Sequence, residues 1–161
     1  MDIALWRKGP QDLPASSFLL AMLTAIYAAV SLVQVKLFGW NIFSTAVLVA
    51  IDVAMMSAWV WVLLTFFRKK PRYVQTLSAI FGVSTLLGIL DALVRMLLDV
   101  LGAGSGPSLW DLAQLGLVAA IVGRILMLAI EGSLFTGVAL TLAIVFSTSA
   151  VTQLFIHSPA S

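Results

Sequence analysis

Six ionisable residues, Asp52, Asp91, Arg95, Asp99, Arg124 and Glu131, fall in or beside long apolar stretches of this 161-residue chain. A charge at the centre of a membrane span costs about 2.5–3.5 kcal/mol on insertion scales, so each needs a partner or water. Asp91, Arg95 and Asp99 follow one another at four-residue steps, which places all three on one face of a helix. An arginine between two carboxylates can satisfy either, and a low dielectric strengthens the pairing. At ~1.5 Å per helical residue, Asp91 lies about 15 Å below the end of its apolar run. By the same rise Asp52 lies about 13 Å below the same surface, and Arg124, counted from Trp110, about 21 Å. The long side chain of Arg124 can reach toward Asp91 or extend to the opposite surface. Two chemistries compete for Asp52, Asp91, Arg95 and Arg124. One is an interhelical ion-pair network that fixes which helices are neighbours. In the other, Asp52 and Asp91 line a polar cavity that binds a proton, a cation or a cationic solute.

The elements that must position these charges are hydrophobic spans. The composition is 61% hydrophobic and 10% charged, against about 45–50% and about 25% in soluble domains. Lipid is therefore the expected solvent, and the bilayer the first expected partner. A crossing helix needs about 20 predominantly apolar residues. Residues 16–35 supply the first, entered through Pro14 with Ser16 and Ser17 as caps. Arg7 and Lys8 precede it as in a signal peptide, but its apolar run is longer than an h-region and further spans follow. The second span, 43–67, stops at Arg68-Lys69-Lys70-Pro71-Arg72, and the third, 74–101, at Gly102-Ala103-Gly104-Ser105-Gly106-Pro107. From Leu112 to His157 the chain stays apolar for the length of two spans, and Glu131-Gly132-Ser133 is the natural break. The expected fold is one all-α transmembrane domain over residues 1–161, with spans four and five at 111–130 and 133–156. A four-span bundle, with one C-terminal segment in the interface or entering partway, is the alternative.

Orientation follows the lysines and arginines. Arg7, Lys8 and the basic run 68–72 mark the cytoplasmic side, and the opposite loops carry only Lys36. The amino terminus is then inside and the carboxyl terminus outside. The connection at Glu131 fits this pattern least, because it brings no cation of its own. Trp6, Trp40 and Trp110 fall at the expected interfaces, whereas Trp59 and Trp61 lie deeper and suit contact with a neighbouring helix.

The first fourteen residues form an interfacial segment, with Ile3, Leu5 and Trp6 beside Arg7 and Lys8. Pro10 and Pro14 then hold the chain extended, and Gln11 and Asp12 on this bend are candidate docking residues for a partner. Gly9-Pro10-Gln11-Asp12-Leu13-Pro14, followed at once by a span, resembles the start of a group of small uncharacterised bacterial inner-membrane proteins. In layout these are loosely similar to Yip1-type proteins, a five-span family with a cytoplasmic amino terminus. The long amino-terminal region of the eukaryotic members is missing here. The resemblance implies an inner-membrane location and a topology, and no active site.

Several functions are disfavoured. With no cysteine there is no disulfide, thiolate nucleophile or cysteine metal site. The single histidine, His157, has no ligands at metal spacing, so neither metal nor cofactor is expected. The one dense basic run is short and lies between spans, so nucleic acid is not an expected partner. Ser84 with Gly88, Gly116 with Ala120, and Ala119 with Gly123 mark possible close helix crossings. No inverted repeat of the transporter kind is present. The expectation is a non-enzymatic scaffold or accessory subunit, bound to other membrane proteins or to itself. The alternative is a small transporter or an ion- or proton-conducting subunit that uses Asp52 and Asp91.

Overall fold

The computed structural model describes residues 14–37, 42–102 and 109–156, and within them the chain is all-helical. Five long helices run in order: α1 Ser17–Leu37, α2 Ile42–Phe66, α3 Tyr73–Val100, α4 Leu109–Ile130 and α5 Leu134–Ile156. A single 3₁₀ turn, Lys70–Arg72, precedes α3. All five are long and apolar enough to cross a membrane, so the chain is built as a five-helix membrane bundle rather than a four-helix one. Successive helices alternate in direction. The turns at 67–72 and 131–133 therefore share one end of the bundle, called here the basic end. The last turn of α3 and the first turn of α4 lie at the other, the Trp110 end.

Packing closes a ring in the order α1, α2, α5, α4, α3. The dry core sits toward the basic end, where Val60, Leu64, Ile80, Phe81, Val122, Ile125 and Leu126 are buried. Large apolar side chains such as Phe66, Leu93, Val100 and Phe135 point outward. That is tolerable because lipid is as apolar as they are. No hydrophobic force then separates inside from outside, and close van der Waals fit must hold the helices together. The tightest fit is the α4–α5 hairpin. A Cβ added at Gly137 would overlap the carbonyl oxygen of Gly123, and one at Gly123 would stand 2.9 Å from the Val138 backbone. Gly116, on the same helix as Gly123, faces open space, so only part of that small-residue face is a crossing. Gly88 meets Gln34 and Val30 of α1 at ordinary to close contact.

The helix ends follow local chemistry. Ser16 Oγ accepts the Leu19 amide at 3.3 Å and caps α1, and Ser133 Oγ accepts the Thr136 amide at 3.1 Å and caps α5. At the basic end α2 and α4 stop in the same way. Lys69 N–H donates to Leu64 O at 2.7 Å and Gly132 N–H to Met127 O at 3.0 Å, the closing bonds of two Schellman turns. The left-handed position in each is a charged residue, Arg68 and Glu131, both at φ 58°.

Candidate functional site

Polar side chains gather toward the Trp110 end, where α1, α3 and α4 meet. Asp91 lies nine residues before the end of α3 and would be a costly charge alone. Its own helix supplies Arg95, one turn on, whose Nε donates to both carboxylate oxygens at 3.0 Å. From α4, Trp110 Nε1 donates to Oδ1 at 2.9 Å. From α1, Gln34 Nε2 donates to the Gly88 carbonyl at 2.8 Å and lies 3.4 Å from Asp91 Oδ2. The Arg95 guanidinium also reaches Asp111 Oδ1 at 2.7 Å, so one cation is divided between two carboxylates. Asp111 stands in the first turn of α4, where a negative charge is favoured by the helix dipole. Three helices are thus tied through one carboxylate.

Asp52 is engaged separately. Tyr27 Oη on α1 donates to Asp52 Oδ2 of α2 at 2.5 Å, and the same ring packs on Phe81 of α3 with centroids 5.3 Å apart. Beside Tyr27, and bounded by α1, α3 and α4, lies a chamber of about 180 Å³. Tyr27, Ser31, Gln34, Ser84, Asp91 and Gln114 provide its polar wall. Gln114 Nε2 donates to Leu87 O at 3.3 Å, while its Oε1 is buried with no hydrogen-bond partner.

The four charges singled out in the sequence therefore take three different settings. Asp91 and Arg95 form a direct pair. Asp52 is held by a tyrosine from α1 and not by an arginine. Arg124 lies six residues before the end of α4, about 9 Å from the basic end at ~1.5 Å per residue, while the partners of Asp91 are Gln34, Arg95 and Trp110. Asp99 is exposed on the last turn of α3. Gln11 and Asp12 lie outside the described residues. Sequence reasoning missed Tyr27, Gln34, Asp111 and Gln114. A usable signal was present for two of them, since glutamines within apolar spans need partners for the same reason charges do.

The basic end carries a second, exposed cluster. Glu131 accepts from Lys69 Nζ at 2.5 Å and from Arg72 Nη2 at 2.6 Å. Those bonds, Lys69 first, hold its carboxyl below the usual carboxylate range. Arg72 Nη1 also donates to the Leu128 and Ala129 carbonyls at 3.2 Å, satisfying free acceptors at the end of α4. The loop that lacks a cation of its own borrows two from the neighbouring loop. Trp59 packs against the core, whereas Trp61 is exposed with Lys70 Nζ 5.9 Å from its ring centroid. Among the described residues no three His, Cys, Asp or Glu side chains gather as a metal site. No protein-family model, curated protein or solved structure matches this chain.

Proposed function

We propose that this chain is a non-enzymatic scaffold or accessory subunit of a bacterial inner membrane. Its amino terminus and basic end face the cytoplasm. One observation carries the reading: Asp91 is engaged by α1, α3 and α4 together. A carboxylate so bound is suited to holding helices in register and poorly suited to exchanging ligands in a transport cycle. Its partners are other membrane proteins or further copies of itself. The layout shared with small inner-membrane proteins beginning Gly-Pro-Gln-Asp-Leu-Pro, and loosely with Yip1-type proteins, is part of the same proposal. The orientation rests on the basic run 68–72, to which the Glu131 turn is joined.

The test pairs Asp52→Asn with Asp91→Asn in a strain that depends on the protein. On this reading both variants lose membrane abundance or bundle stability, and any phenotype follows that loss. Normal insertion and stability with loss of a proton- or cation-dependent phenotype would overturn it in favour of a conducting role. Reporter fusions should place the carboxyl terminus outside, and a cytoplasmic end would refute the orientation.

A further inference from the structure

The surface of the basic end carries more positive charge than its clamp uses. Among the described residues, Arg68, Lys69, Lys70 and Arg72 stand in the α2–α3 turn, and Glu131 is the one carboxylate facing them. Lys69 and Arg72 are bound to it. Arg68 and Lys70 are exposed and form no ion pair among the described residues. Lys70 turns back toward the bilayer. Its backbone lies in the 3₁₀ turn beyond α2, yet its ammonium stands 5.9 Å from the centroid of the Trp61 ring. Trp61 is five residues before the end of α2, about 7.5 Å along the helix axis. The 25 residues of α2 span about 37 Å, against about 30 Å of hydrocarbon. Centred in the bilayer, the helix holds Trp61 within about 4 Å of the hydrocarbon edge.

A long cationic side chain ordinarily carries its charge toward water. Lys70 instead brings three N–H donors to the depth at which lipid phosphates begin, where the indole face offsets charge without accepting all of them. Arg68 adds a planar fork suited to phosphate. Beside them Trp61, Val62 and Phe66 are exposed on the last turns of α2, an apolar surface for acyl chains. The choice among headgroups is electrostatic. Four cations against one carboxylate leave a surplus of three positive charges, which favours a net anion and opposes a headgroup that carries its own ammonium. An acidic soluble partner would gain nothing from an ammonium turned toward the bilayer. We propose that Arg68, Lys70 and Trp61 form a binding site for an anionic phospholipid, its phosphate held by the two cations and its acyl chains lying along Trp61, Val62 and Phe66. The site works in whichever leaflet the basic end meets, so it stands or falls separately from the scaffold reading.

The test uses the full chain in a neutral detergent, titrated with phosphatidylglycerol or with phosphatidylcholine of the same acyl chains. Bound lipid is read by native mass spectrometry and by the unfolding temperature. Phosphatidylglycerol should bind saturably and raise that temperature, with phosphatidylcholine binding at least about tenfold more weakly. Lys70→Gln and Arg68→Gln should each weaken phosphatidylglycerol about fivefold, the scale of one cation at a membrane surface. Lys69→Gln removes the same charge from the clamp and should cost less than about twofold. Trp61→Leu, which changes no charge, should cost about threefold. If Arg68→Gln does not accumulate, the Lys70→Gln result decides. Equal binding of the two lipids would overturn the proposal, as would equal losses in Lys69→Gln and Lys70→Gln, which would reduce the effect to bulk charge. An equal rise in unfolding temperature with inorganic phosphate or soluble poly-glutamate would also overturn it, assigning the cations to a soluble anion or an acidic protein.

Discussion

The two ends of the bundle solve the same problem, joining neighbouring helices, by different physics. Toward the basic end the interior is close-packed and largely apolar, with half-buried Arg124 as the one charge within it among the described residues, and outside it an exposed clamp joins Glu131 to Lys69 and Arg72. Toward the Trp110 end a charge pair sits within the helix assembly, and beside it is a polar chamber. Shape complementarity therefore dominates at one end and directional hydrogen bonding at the other. In a membrane the second device is informative, because hydrogen bonds to a half-buried carboxylate fix neighbours that apolar packing alone specifies weakly.

The contrast can be broken at four places. The largest effect is expected from Gly137→Leu, where a side chain must displace the Gly123 backbone. Rigid backbone cannot yield as a side chain can, so the loss should exceed about 4 kcal/mol and appear as absence of folded protein in the membrane. Trp110→Phe removes one donor to a charged acceptor while keeping an aromatic ring. It should cost about 1.5–3 kcal/mol, read from thermal unfolding in detergent. Arg68→Gly acts in the opposite direction. The residue is exposed at φ 58°, and glycine should relieve about 1 kcal/mol of left-handed backbone strain, raising the unfolding temperature.

The smallest effect is expected from Glu131→Gln, since the clamp is exposed and screened by salt. Its carboxyl pKa is lowered by Lys69 and Arg72, so its contribution is complete above the unfolded value of about 4.3. The contribution disappears as pH falls through the lower folded value. Stability curves of the variant and the parent should therefore differ slightly at pH 7 and converge once the pH has fallen below that lowered folded value. A difference that persists in acid would mean that the ion pairs are not its source.

The architecture was legible in the sequence because hydrophobic length is a strong one-dimensional signal. Five apolar runs became five helices, and Ser16 and Gly102 punctuate them as such residues should. The Glu131 turn was legible as a break, but its use of Lys69 and Arg72 depends on two loops meeting at one end, which linear charge counting misses. The Asp91–Arg95 pair could be read from four-residue spacing. The partners from other helices could not: Tyr27 for Asp52, and Gln34 and Trp110 for Asp91, are set by helix order and rotation, and uniformly apolar helices carry little amphipathic pattern to reveal either. Equal depth suggested that Asp52 and Asp91 share a site. Depth fixes only one coordinate, and Tyr27 stands on the chamber wall with Asp52 behind it.

The most direct test of the account is a double-mutant cycle on Asp91 and Arg95, read as membrane abundance and unfolding temperature. Asp91→Leu and Arg95→Leu should each be destabilising, because each leaves its partner charged and less well paired, up to about 3 kcal/mol. The double leucine variant should recover most of that loss, with a coupling of at least about 1 kcal/mol. If the two losses simply add, or if all three variants are as stable as the parent, Asp91 is not the tie between α1, α3 and α4 and the structural reading of these charges is wrong.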